Sequence, residues 1–350
     1  MDYDLFAQRF KNARLIAGLT QAELAQKMKG SISPKTIPKY ESGETMPKVM
    51  PFYLMCQGLD ISPDYFFIPF RPEIAKLEFR KPLNQGQRKN KSIELQVADT
   101  VERSLNIEET MEMAMDFHNP LQDFTVSVSE DVEKAVDLLW EQWRLGSHVL
   151  HHVIATLEHQ LIRIIEVEAD PRLDALAGLA DGRLPFIVVN RDLDLEGKRV
   201  AALRELGHLA LQFPKEMPQG KRDRLCGCFA RAMLMPRETF LKAIGPAKRK
   251  KVSLQELIVI RETYGIDLQS IMLRAQNLGL IRQFTYKAFR KFLAAVKEGT
   301  DLGAYRGKEE PVKVKQLVYR ATAEGIINEA TATDILNTNY RRFQEEFITF

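Results

Sequence analysis

Cysteine is scarce in this chain, three in 350 residues. Cys56, Cys226 and Cys228 fall into no paired framework, which argues against a disulfide-stapled scaffold and suits a reducing compartment. No apolar run approaches the roughly 20 residues that span a bilayer, and the N-terminus lacks the basic-then-apolar pattern of an export signal, so a cytoplasmic protein without membrane partners is expected. Charge of one sign is also missing: 50 lysines and arginines against 47 aspartates and glutamates leave a formal +3, too mild to argue for nucleic acid by itself. Length is not lacking. A chain of 350 residues is long for one core, so two or more domains are expected.

What is present organises around two stretches, Arg199 to Phe213 (RVAALRELGHLALQF) and Lys221 to Met235 (KRDRLCGCFARAMLM). Both carry apolar residues at three-and-four spacing, which predicts two amphipathic helices that each bury one face. The first holds Arg204, Glu205 and His208. A catalytic zinc helix needs two histidines four apart, because positions i and i+4 project from one face and can hold one ion, with a glutamate beside the first as base. Here the spacing is kept and the first histidine is Arg204. A guanidinium stays charged and has no lone pair to give a metal, so the zinc site is broken at its first position.

A Glu-x-x-His on a helix is common by chance, but more of the pattern is present. From Asp131 onward the chain reads EKAVDLLWEQWRLG, LEHQLIRIIEV, DALAGLADGRLPFIVVN, RELGHLAL and CFARAMLMP. This resembles the ImmA/IrrE (DUF955-like) family of phage-repressor-cleaving metallopeptidases. The resemblance implies a central α+β zincin-like domain with a small sheet, in which the helix reads HELGH and an acidic residue before a phenylalanine-alanine pair supplies a third ligand. Asp223 is the nearest acidic candidate, followed here by Leu225, Cys226 and Gly227. By this resemblance Arg204, His208 and Asp223 stand at the degenerate metal positions, and no metal is expected. Should the domain still work as a zinc peptidase, zinc is its cofactor and Glu205 the general base.

The N-terminal end has its own signature. Asp4 is placed to cap a first helix with Leu5, Phe6, Phe10, Ala13 and Ile16 on one side, ended by Gly18. Thr20 caps QAELAQKM with Glu23 three residues on, a capping box. After Gly30, Ser33 caps a third helix, SPKTIPKYESG, with Pro34 in its first turn and Pro38 inside it, where a kink is expected. Two short helices, PFYLMCQGL and SPDYFF, follow. A plain helical hairpin rarely carries this turn chemistry. The run from Asp4 to about Ile68 resembles the phage-repressor (XRE-type) helix-turn-helix domain, on RFKNARLIAGLTQAELAQKM, KYESGETMPK and LDISPDYFF. By matching position Gln21 touches phosphate, and Lys35, Thr36 and Lys39 face the major groove of double-stranded operator DNA. Self-association into a homodimer follows from the symmetric operators such units read.

The remaining segments carry less. Arg71 to Lys91 is a basic, proline-broken linker holding a strand-like LEFRK, and Ser92 to Met115 is one long helix, either a dimer strut or a helix packed on a neighbouring domain. Ser129 is placed to cap a helix through Leu145, Val149 to Glu158 continues as helix, and Leu161 to Val167, Ala175 to Ala180 and Phe186 to Asn190 are strands. His148, His151, His152 and His159 have no ligand spacing with His208 and are surface histidines. Cys226 lies three residues after Asp223, so His208, Asp223 and Cys226 compose a possible substitute metal set, although Cys226 is more simply a small buried apolar residue.

The expected architecture is therefore mainly α and multidomain. It comprises a helix-turn-helix domain over 1–70, a linker and long helix over 71–118, a peptidase-like domain over 119–245 and a helical accessory module over 246–350. Three functions stay open: a DNA-binding regulator whose zinc-less peptidase-like domain binds a partner or signal, an active zinc metallopeptidase that cleaves a repressor, and an antitoxin-like protein that neutralises a toxin and represses its operon.

Overall fold

The structure, a computed structural model, describes residues 3–28, 32–70, 77–113, 116–146, 149–297 and 299–348. Gly30, His148 and the linker residues 71–76 lie outside these. The chain divides into two compact units: one of Met1–Asp116, Leu179–Leu184 and Val312–Phe350, the other of Phe117–Gly178 and Pro185–Pro311.

The first unit opens with α1 (Tyr3–Ile16), α2 (Gln21–Lys27), α3 (Ile37–Glu41) and α4 (Val49–Leu59), then a 3-10 turn over Pro63–Phe67, a short strand β1 (Leu77–Phe79) and the long α5 (Gln87–Thr110). Its core joins Phe6, Phe10, Leu24, Met28, Ile37, Met55 and Phe66, all fully buried. Of the apolar stripe anticipated on α1, Phe6, Phe10 and Ala13 enter the core, while Leu5 and Ile16 are only half-buried. Thr20 and Glu23 form the capping box, each side chain accepting from the other's backbone N–H. Burial pushes the Cys56 thiol up to about 11, and none of the three cysteines is in a disulfide.

Two expectations about this unit are corrected. The third helix does not begin at Ser33: residues 33–36 form a turn in which the Thr36 N–H donates to the Ser33 carbonyl at 2.8 Å, and α3 starts at Ile37 with Pro38 in its first turn. At that place the missing proline N–H is one that no helical carbonyl would accept, so Pro38 starts the helix and does not kink it. SPDYFF closes as a 3-10 turn capped by Ser62, whose hydroxyl accepts from Asp64 N.

The second unit holds α6 (Ser129–Gln142), α7 (Val153–His159), β2 (Arg163–Val167), β3 (Ala175–Ala180), β4 (Leu184–Asn190), α8 (Leu195–Ala210) and α9 (Gln219–Leu234). It continues with α10 (Arg237–Ile244), α11 (Leu254–Tyr264), α12 (Leu268–Asn277) and α13 (Gln283–Ala295). β4 lies between β3 and β2 and runs parallel to β2, with Arg163 opposite Phe186 and Val167 opposite Asn190. Every residue of β4 is buried, as the continuous apolar run LPFIVVN requires of a strand covered on both faces. One core cluster joins sheet residues Ile164, Ala177, Ile187 and Val189 to Ala202, Leu203 and Leu206 of α8 and to Leu225 and Phe229 of α9. Gly207 sits at the α8–α9 crossing, where an added Cβ would lie 3.1 Å from the Phe229 ring and 3.3 Å from Cys226 Cα.

Helix α7 starts four residues later than its apolar pattern suggests, because its start is fixed from a distance. The Glu309 carboxylate accepts from Val153 N at 3.2 Å and Ile154 N at 2.9 Å, satisfying first-turn donors next to the positive end of the helix. Glu309 is ion-paired with Arg199, and neither side chain is exposed at all. Arg199 also donates to the carbonyls of Leu150, His151 and Tyr264 and stacks 4.7 Å from the centre of the Tyr305 ring.

The chain ends back in the first unit with α14 (Lys313–Ala323), α15 (Glu329–Leu336) and α16 (Tyr340–Glu346). These pack Leu317, Val318, Ala321, Ala332 and Phe343 around Ile107 of α5. Lys313 pairs with the buried Glu108 at 2.9 Å. At its other end α5 holds α1 through a bidentate pair, Arg9 to Glu102 at 2.7 and 2.8 Å, both side chains buried. The long helix thus packs inside its own unit.

Candidate functional site

The helix-turn-helix surface is built on Glu41, the last residue of α3. Its carboxylate takes both the Nε and NH2 groups of Arg14 from α1 and the side-chain amide of Gln21 from α2 at 2.8 Å. Arg14 also donates to the Leu19 carbonyl at 2.7 Å. One carboxylate therefore fixes three helices, and the side chain of Gln21 is engaged inside the fold. Lys35 is exposed on the turn before α3, and Thr36 is half-buried as the residue preceding it. Lys39 is exposed and pairs with Glu44 at 2.9 Å. The Glu23 carboxyl of the capping box falls to about 2, first through the Thr20 backbone N–H and then through the Thr20 and Arg88 side chains.

In the second unit α8 begins at Asp194, whose carboxylate accepts from Gly197 N at 2.7 Å, and its inner face carries Glu205 into the core. Glu205 is fully buried and accepts from the Ala177 N–H of β3 at 3.1 Å. Arg204 is one-third exposed. Its NH2 lies 3.4 Å from Asp174 and its Nε 3.6 Å from Glu205. Arg204 is therefore answered by Asp174 and Glu205. Asp174, thirty positions away on the approach to β3, had no signal in the sequence.

Asp223 instead faces His208. The His208 Nε2 lies 3.2 Å from Asp223 Oδ1 and its Nδ1 lies 3.4 Å from Cys226 Sγ. Asp223 also accepts from the Gln219 amide at 2.9 Å. In a neutral ring Nε2 donates to the carboxylate, which leaves Nδ1 to receive the thiol proton. His208 thus stands in the middle of a row. The in-plane directions of its two ring nitrogens diverge, so Cys226 and Asp223 sit on opposite nitrogens and do not meet at one of them. Among the described residues no group of three histidine, cysteine, aspartate or glutamate side chains is placed to hold a metal ion. The donors of this site, with a guanidinium at the first position, do not fit a zinc centre. The anticipated set of His208, Asp223 and Cys226 is brought together, but as a hydrogen-bonded row.

Of the histidines that precede β2, His151, His152 and His159 are exposed. His151 offers its backbone carbonyl to Arg199, and His152 Nδ1 lies 3.4 Å from the Lys308 carbonyl. Arg199 and Glu309, the most deeply buried pair in the unit, went unnoticed in the sequence because 110 positions separate them.

Five helical elements over Tyr3–Phe67 have the arrangement of a helix-turn-helix domain, and the small sheet packed on the crossed helices α8 and α9 that of a separate α+β domain. The family comparison agrees: residues 10–66 match the helix-turn-helix family, and residues 158–275 match the IrrE N-terminal-like domain. Residues 10–66 are thus similar to an XRE-type helix-turn-helix, a module of DNA-binding regulators, and residues 158–275 to a family that is generally one of zinc metallopeptidases. No curated protein matches the chain. Among the described residues no helix is long and apolar enough to cross a membrane.

Proposed function

We propose that this chain is a cytoplasmic transcription regulator that binds double-stranded operator DNA as a homodimer, and that its IrrE-like domain works without zinc, binding a protein partner (a repressor or a toxin) or a signal. The observation that carries this reading is Arg204. A buried carboxylate such as Glu205 needs a counter-charge, and the guanidinium beside it supplies one where the family places a metal ligand. His208 fits the same reading, since both of its nitrogens have partners within the protein. A working peptidase is the second reading, favoured by the closeness of Cys226, His208 and Asp223; it requires the row to break and three donors to converge on one ion.

Elemental analysis of the purified full chain separates the two. The regulator reading expects zinc well below one per chain, unchanged in His208→Ala. Stoichiometric zinc that disappears in His208→Ala, together with peptide hydrolysis lost in Glu205→Gln, would establish the enzyme. On the DNA side, selection from a randomised duplex library should enrich two-fold symmetric half-sites about 10 base pairs apart, with binding weakened in Lys35→Ala. Failure to enrich any duplex would remove the regulator.

A further inference from the structure

Helix α13 carries two apolar stripes, although a surface helix needs only one. Tyr286, Phe289 and Leu293 rest on the core of the second unit. Phe284, Ala288, Phe292 and Ala295, at i, i+4, i+8 and i+11, form a second stripe that faces outward, with Phe284 80% and Phe292 45% exposed. No residue of the helix is buried. Five cations, Arg282, Lys287, Arg290, Lys291 and Lys297, accompany it, and the sequence from Arg282 to Lys297 contains no aspartate or glutamate. All five are exposed, and none forms an ion pair among the described residues. Elsewhere in the unit arginines meet carboxylates, as Arg249 meets Glu256 and Arg274 meets Glu133.

We infer that α13 is a docking surface for an acidic amphipathic helix of a protein partner. The stripe from Phe284 to Ala295 runs for about 17 Å, three turns at 1.5 Å per residue, the length one facing helix covers when side-chain ridges interlock. Lys287 and Lys291 border one edge of it at helical spacing. A facing helix with leucines at i and i+4 and glutamates along the matching edge covers both phenyl rings and neutralises that border, which also steers its approach. Duplex DNA offers phosphates but no apolar surface for Phe284 and Phe292. An anionic bilayer takes up a helix by sinking one broad apolar face, and part of the apolar surface of α13, Tyr286, Phe289 and Leu293, already lies on the core. The area of so short a contact corresponds to a transient interaction.

The surface is distinct from the helix-turn-helix and from the Arg204 site, so its test leaves the reading above untouched. The probe is a fluorescein-labelled synthetic helix of about four turns, leucine at i and i+4 with glutamate beside it, titrated with the full chain in fluorescence anisotropy. Binding should weaken about tenfold in Phe284→Ser/Phe292→Ser and again in Lys287→Glu/Lys291→Glu, and should fall with added salt. The same peptide with lysine for glutamate should not bind. All four substituted side chains point outward, so the circular dichroism spectrum should be unchanged. Equal affinity in both double variants overturns the inference. It is equally overturned if the peptide is ignored while these residues govern binding to phosphatidylserine–phosphatidylcholine vesicles or to DNA.

Discussion

The helix-turn-helix unit and the peptidase-like unit both anchor themselves on buried guanidinium–carboxylate pairs, yet the pairs stand in different relations to the chemistry. Arg9 with Glu102 and Arg14 with Glu41 are buried, while Lys35 and Lys39 are exposed and Lys39 is held, among the described residues, only by the exposed Glu44. In the other unit the residues of the Arg204–His208 stretch of α8 are themselves the partners: Arg204 is turned to Asp174 and Glu205, and His208 to Asp223 and Cys226. A surface keeps its reactive groups available when other residues hold the fold. Where one set of side chains serves both ends, the hydrogen bonds that stabilise the domain occupy the lone pairs that chemistry would need.

The sharpest way to probe this contrast is to break one structural pair in each unit. Arg199→Met leaves Glu309 charged in a fully buried site and strips several backbone carbonyls of a donor. It should cost at least the ~3–5 kcal/mol typical of a broken buried pair, read as a lower denaturation midpoint of the peptidase-like unit. Adding Glu309→Gln should restore part of the loss, because it removes the unpaired buried charge while the one amide oxygen still accepts from Val153 N or Ile154 N. Arg9→Met should cost less, since the Arg9–Glu102 pair retains slight exposure. Equal stability of Arg199→Met and the parent chain would show that the pair is not formed.

A smaller effect is expected at the centre of the row. His208→Ala leaves Asp223 and Cys226 without their shared partner and should cost about 1–3 kcal/mol, while zinc content and operator binding stay as they were. A His208→Ala protein that loses both stability and a bound ion would make the two units alike in keeping a working site.

The smallest effect separates the units by pH. The Glu23 carboxyl is lowered from its ordinary 4.5 to about 2 by the Thr20 backbone N–H and the Thr20 and Arg88 side chains. A lowered folded-state value means that the contribution is complete above about pH 4.5 and drains away as pH falls toward 2. Thermal melts of the parent chain and Glu23→Gln should therefore differ at neutral pH and converge in acid, with the difference confined to the helix-turn-helix transition. A constant gap at every pH would place the capping box outside the folded state.

Much of the fold is legible in local chemistry. The capping box at Thr20 and Glu23, the strand Ala175 to Ala180 and the apolar faces of α8 and α9 all follow from spacing within a few residues. What escaped the sequence was non-local. Pro38 reads as a kink when the helix is drawn from Ser33, and as a first-turn residue once the Ser33–Thr36 turn is seen. The start of α7 depends on Glu309, more than 150 positions away, and the α5–α14 packing brings Ile107 to Leu317. No periodicity encodes such meetings.

The sequence alone determined that position 204 of α8 holds a permanently charged side chain without a lone pair, because that is a property of arginine wherever it sits. Only the tertiary structure decided who answers that charge. Asp174 and Glu205 meet Arg204, and Asp223 meets His208, because partners of a buried or half-buried charge are chosen by where strands and helices cross, a geometry that side-chain spacing along one helix does not contain.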